Sequence, residues 1–198
     1  MTWDQLSRDA ESQNARSRDK LIGVFIGLLA VVLAVCSMGA GNAAQDATLK
    51  NIEASNTWAF FQAKNARRQA LRLHADDFAV TLAANPAMPD DVKAMIKEKI
   101  EGYREQDKKL TSDPEKKEGL DELFAKARDL EQHRDQALKR GPYFDYGQAL
   151  LQIAIVLASI AIISGGNALL VASAIVGLLG VIATVGGFTL AFPLPFAA

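Results

Sequence analysis

Leu21-Ile22-Gly23-Val24-Phe25-Ile26-Gly27-Leu28-Leu29-Ala30-Val31-Val32-Leu33-Ala34-Val35 is the stretch on which the architecture turns. Eleven of these residues are Leu, Ile, Val or Phe, and no charged side chain occurs from Leu21 to Ala44. At roughly 0.3 to 0.6 kcal/mol each on an insertion scale, they favour the bilayer by about 3 to 7 kcal/mol. That is enough for a spanning helix over 21–44. A secretory signal peptide is the rival reading, because basic residues precede the run and Gly39, Ala40, Gly41, Ala43 and Ala44 follow it. The run is longer than the usual signal core, so an uncleaved helix is expected. Val35 occupies the position before Cys36 where a lipoprotein signal carries a small residue, which argues against lipidation.

Charge is segregated along the chain. It carries 22 Lys and Arg and 23 Asp and Glu among 198 residues, yet no charged side chain follows Asp145. A soluble domain would scatter its charges over the whole surface, so an ordinary globular enzyme is excluded and a membrane protein is indicated. The net charge of −1 gives no nucleic-acid footprint. The single Cys rules out a disulfide within the chain and a Cys cluster for metal. The uncharged region divides at Ser164-Gly165-Gly166-Asn167, four turn formers that can reverse a chain between helices. Spans two and three are therefore expected at 148–164 and 168–190, followed by a short apolar tail, 191–198. Span two is near the lower limit for crossing about 30 Å of hydrocarbon, so Tyr143, Phe144 and Tyr146 are read as its interfacial anchor; a re-entrant hairpin is the alternative. Arg8, Arg16, Arg18 and Lys20 in the tail 1–20 predict a cytoplasmic N-terminus. Arg128, Arg134, Lys139 and Arg140 weigh the other way, but they close a long segment, 45–147, and long translocated segments largely escape the rule.

The segment 46–140 contains two Gly (102, 119) and three Pro (86, 89, 114), a composition that favours helices. The prolines predict helices at about 46–84, 90–110 and 114–140, the last capped by Asp113 and stopped by Gly141-Pro142. Asp90 and Asp91 place acid in the first turn of the middle helix. Steps of three and four select a heptad seam on the first helix: Leu49, Ile52, Asn56, Ala59, Ala63, Ala66, Ala70, Leu73, Asp77, Val80, Ala84. Leu120, Leu123, Ala127, Leu130, Arg134 and Ala137 form another, and Val92, Ile96, Ile100, Tyr103 and Leu110 a stripe on the middle helix. Such helices fit an antiparallel hairpin or coiled-coil bundle. The fold expected is an all-α membrane protein with three transmembrane helices and this helical domain between spans one and two.

Few residues suggest chemistry. His74 with Asp76 and Asp77, and His133 with Glu131 and Asp135, read as solvated surface, since neither group has a second His near it. No phosphate loop, nucleophile elbow or ionisable residue within a span is present, so no catalytic residue, metal or cofactor is assigned. The spans instead carry small and weakly polar residues at packing intervals. Gly23 and Gly27, Ala154 and Ala158, and Ser173 with Gly177 suit close helix approach. Gln148, Gln152 and Ser159 share one face of span two, and an amide in hydrocarbon seeks a partner.

Trp58-Ala59-Phe60-Phe61-Gln62-Ala63-Lys64 resembles the W-x-[YF]-[YF]-Q-A-K segment of the bacterial membrane-protein family called domain of unknown function 4337. The order of parts is also similar: an N-terminal span, the aromatic helix, a charged helical region, a span with Gln152, Ala158 and Ser159, and a Gly-rich last span. The resemblance implies a bacterial inner-membrane location and supplies no activity to carry over. Trp58, Phe60, Phe61, Gln62 and Lys64 are candidates for partner docking, because so many rings on one thin helix are hard to cover within three helices. The function expected is a non-enzymatic membrane scaffold or accessory subunit, a homo-oligomer or part of a larger membrane complex, with membrane lipids around its spans. A small-molecule or lipid-binding module built on Trp58, Phe60 and Phe61 is the alternative.

Overall fold

A computed structural model describes the backbone of residues 3–193; the side chains of 3–12, 14 and 15 lie outside the described set. Arg8, used above for orientation, and most of the tail 191–198 therefore fall outside it. The chain is all-helical, with no strand among the described residues. Its helices are α1 (Trp3–Ala84), α2 (Asp90–Thr111), α3 (Leu120–Ser164) and α4 (Asn167–Thr189). Three of them, α1, α3 and α4, are long and apolar enough to cross a membrane.

Two boundaries differ from expectation. The third helix begins at Leu120 rather than Pro114, because Pro114 to Lys117 form a turn closed by the Lys117 N–H donating to the Asp113 carbonyl at 2.8 Å. Gly141-Pro142 does not stop it either: Pro142 lies inside α3. Proline removes one backbone bond and crowds the preceding turn, but Ala137, Tyr143 and Phe144 around it are buried and hold the helix. The break between α1 and α2 comes where Pro86 and Pro89 require it, and Asp90 and Asp91 occupy the first turn of α2. The reversal at 164–167 stands as read, with Gly165 at φ 67°, a conformation open to glycine at little cost.

The chain forms two compact units, Met1–Ala47 with Gln136–Ala198, and Thr48–Asp135. In the first, α1 contributes Ile22, Leu29, Cys36 and Ala43, one residue per heptad, and α3 contributes Phe144, Leu151, Ala154, Ala158 and Ala161. The glycines of α4 meet them. Phe144, 1% exposed, is wedged where a Cβ on Gly39 of α1 would lie 2.6 Å from its ring and one on Gly187 of α4 2.7 Å. A Cβ on Gly180 would come within 3.1 Å of the Leu151 backbone nitrogen. Without a hydrophobic driving force in lipid, such close approach is what lets helices associate.

In the second unit, Ala75 of α1 and Ile96 and Ile100 of α2 form a core flanked by Phe78, Leu82, Val92 and Tyr103. From α3, Leu120, Leu123, Ala127 and Leu130 are buried, as the third seam predicts. The Arg72 guanidinium, Nε at 2.8 Å and Nη2 at 3.0 Å from the two Asp107 carboxylate oxygens, clasps α1 to α2. On α1 the packed face is Ala54, Thr57, Trp58, Phe61, Lys64, Arg68, Leu71, Ala75, Phe78 and Leu82. The seam selected from sequence lies two residues out of phase with it, about 200° around a helix, and all eleven of its members are exposed.

Candidate packing and docking faces

Phase along α1 explains both faces. The buried and half-buried positions 22, 25, 29, 32, 36, 39 and 43 advance by three and four; 47 follows as a second consecutive step of four, and 50, 54, 57, 61, 64, 68, 71, 75, 78 and 82 continue the pattern. Two successive steps of four make a stutter, which locally unwinds a heptad seam.

Of the residues singled out for packing, Ala154 and Ala158 are fully buried. Ser173 is also, its hydroxyl donating to the Ala154 carbonyl at 2.6 Å, a bond between α4 and α3. A Cβ on Gly177 would stand 3.1 Å from Leu29 and 3.4 Å from Ala154, so this glycine sits where all three helices meet. Gly23 and Gly27 are elsewhere: they are exposed, with open space where a Cβ would be. Gln148 is half-buried, whereas Gln152 and Ser159 are exposed, and the Ser159 hydroxyl donates to its own helix at the Ile155 carbonyl, 2.8 Å away. Residues the sequence reading passed over carry much of this packing: Gly39, Gly180, Gly187, Leu151 and Thr184. Cys36, fully buried, donates its thiol hydrogen to the Phe144 carbonyl, Sγ to O 3.4 Å. Its seven-residue spacing from Leu29 and Ala43 was the available signal.

The aromatic segment divides between interior and surface. The Trp58 ring meets Phe61 and Phe124 edge-on, both at 5.5 Å between centroids, and its Nε1–H donates to Glu131 at 2.9 Å. Phe124, from α3, is the partner that covers these rings, and nothing in the local sequence of α1 announces it. Lys64 donates to the Glu118 carbonyl and lies 5.1 Å over the Phe60 ring. Phe60 and Gln62 are exposed. Trp58, Phe61 and Lys64 are thus engaged within the chain, and Phe60 with Gln62 remains on the surface beside the open seam.

That open seam is a continuous exposed face of this unit that no other described helix covers. Leu49, Ile52, Leu73 and Val80 are each about half or more exposed, at 49%, 51%, 64% and 67%. Between them Ala59, Ala63, Ala66 and Ala70 present only methyl groups. A second helix can approach such a face closely, guided by large aliphatic side chains at both ends.

The fold and these faces define a helical protein of the membrane-spanning type in length and composition, built around helix contacts. The family described as Domain of unknown function (DUF4337) matches residues 18–190, and the chain belongs to that family. No curated protein and no solved structure shows significant similarity to it.

Proposed function

We propose that this protein is a non-enzymatic scaffold or accessory subunit of a bacterial inner membrane. It crosses the membrane three times, with residues 45–147 on the periplasmic side, and associates with a second copy of itself through the open seam of α1. The observation that carries the reading is that seam, regular over five heptads and left uncovered by α2 and α3. Copies inserted in the same orientation meet α1 to α1 in parallel, and in-register pairing sets each of Leu49, Ile52, Leu73 and Val80 against its counterpart. Asn56 then falls at an a position, where paired amides favour the parallel dimer and fix register at some cost in stability. Flanking pairs carry no like-charge conflict: Gln62 lies opposite Arg67, Gln69 opposite His74, Asp76 opposite Thr81. Within the seam Asp77, also at an a position, meets its own counterpart, and this one like-charge pair near the end of the seam lowers the stability of the dimer there. The four alanines bring the helices close but bury little area, so affinity rests on the ends and on the spans.

The experiment uses the full chain in mild detergent. Sedimentation or native mass spectrometry is expected to show a dimer for the wild type and a monomer for Ala63→Glu with Ala66→Glu, which places four carboxylates in the seam. In a Cys36→Ala background, Ala63→Cys should form a disulfide-linked dimer on mild oxidation. A monomeric wild type, or an Ala63→Cys protein that fails to cross-link, sinks the proposal.

A further inference from the structure

Beside the N-terminal end of the first apolar run, α1 and α4 border a groove of about 290 Å³ lined by Arg18, Leu21, Ile22, Phe25, Leu170 and Ala174. Its walls are apolar except at one end, where Arg18 stands. That guanidinium is only partly used: Nη1 donates to the Gly165 carbonyl at 2.8 Å, Nη2 lies 3.6 Å from the Asp19 carboxylate, and Nε is buried without a hydrogen-bond partner among the described residues. The bond to Gly165 ties the arginine to the reversal between α3 and α4, which has no charged residue from Ser164 to Asn167. The charged residues from 16 to 20 are three bases, Arg16, Arg18 and Lys20, against one acid, Asp19. The site is therefore a hydrocarbon-lined slot with a pinned, incompletely paired cation at its mouth.

We propose that this groove binds an anionic phospholipid, one acyl chain lying along Leu21, Phe25, Leu170 and Ala174 and the phosphate meeting Arg18. Arginine suits this place because its planar fork can hold the Gly165 carbonyl with one nitrogen and offer others to phosphate oxygens. A zwitterionic lipid fills the same slot with its chain, but its own ammonium group offsets the phosphate charge and weakens the electrostatic part of the attraction to Arg18. The inference rests on insertion of these helices in a membrane and not on pairing through the α1 seam. A monomer that selects anionic lipid therefore removes the dimer and leaves the lipid site standing.

Native mass spectrometry of the full chain, released from mild detergent with phosphatidylglycerol or phosphatidylcholine of the same acyl chains, tests it. The wild type is expected to retain phosphatidylglycerol in preference to phosphatidylcholine. Arg18→Gln should retain phosphatidylglycerol roughly fivefold less and lose the preference, the effect of about one basic contact at a membrane surface. Arg18→Lys should keep part of it. Ala174→Phe fills the slot from an exposed position and leaves Arg18 in place, so it should reduce retention of both lipids while circular dichroism stays unchanged. Equal retention of the two lipids by the wild type overturns the proposal, as does undiminished phosphatidylglycerol on either Arg18→Gln or Ala174→Phe. Should Arg18→Gln lose helicity, Ala174→Phe decides alone.

Discussion

At the head of α3, Glu122 gathers the start of the α2–α3 loop. Its Oε1 accepts from the Ser112 hydroxyl at 2.7 Å and its Oε2 from the Asp113 N–H at 3.3 Å. This is possible because Gly119 has no side chain: a Cβ there would stand 2.5 Å from the Asp113 nitrogen and 2.6 Å from the Ser112 Cα. The Ser112 hydroxyl foremost, then the amide of Glu122 itself, hold its carboxyl below the usual glutamate range. A depressed folded value stabilises the fold above the unfolded pKa, and that contribution is lost as pH falls through the folded value. Ser112→Ala is expected to move the Glu122 midpoint up toward that of an ordinary glutamate, followed by carboxyl-carbon magnetic resonance of the full chain through acid pH. A midpoint that does not move would show that Ser112 is not the cause. In sequence Asp113-Pro114 reads as a helix start; the start six residues later, at Leu120, depends on Glu122 and Gly119 meeting Ser112 and Asp113 across the loop.

Among the elements, α1 and α4 show how small residues acquire opposite roles by phase alone. Gly39 and Gly187 hold Phe144 between them, while Gly23 and Gly27 stand in open space on the same α1. Gly39→Ala or Gly187→Ala pushes a methyl group into a ring that is 1% exposed and has nowhere to go. Overpacking of this kind costs about 1 to 3 kcal/mol, so each should lower the thermal midpoint of the detergent-solubilised protein. Gly23→Ala meets no neighbour and improves helix propensity, so its midpoint should equal or exceed that of the wild type. Equal losses at all three positions would contradict the packing described. Periodicity made α2 and the seam of α3 readable, since each has one apolar phase. On α1 it offered two, and the phase richer in Leu, Ile, Val and Ala is the one left outside. The packed phase uses Trp58, Phe61 and Phe78 with the aliphatic stems of Lys64 and Arg68, residues that a count of aliphatics discounts.

For the molecule as a whole, topology is the property from which the proposed function follows. In the proposed topology the N-terminus is cytoplasmic and residues 45–147 lie outside, on the strength of Arg16, Arg18 and Lys20 beside the first apolar run. Alkaline phosphatase fused after Lys117, in the α2–α3 loop, should be active and green fluorescent protein at the same point dark; the reverse pair of results would invert the orientation. The three long apolar helices, the helix-rich polar segment and the reversal at Gly165 are legible in the sequence alone. They depend on local quantities: hydrocarbon content per turn, the missing N–H of proline and the free φ of glycine. Which face of α1 is covered, why α3 runs through Gly141-Pro142, and where the Trp58 ring finds Phe124 and Glu131 were not legible. Each depends on side chains distant in sequence that arrive on another helix, and a periodic pattern constrains which residues share a face without saying which face a neighbour will take.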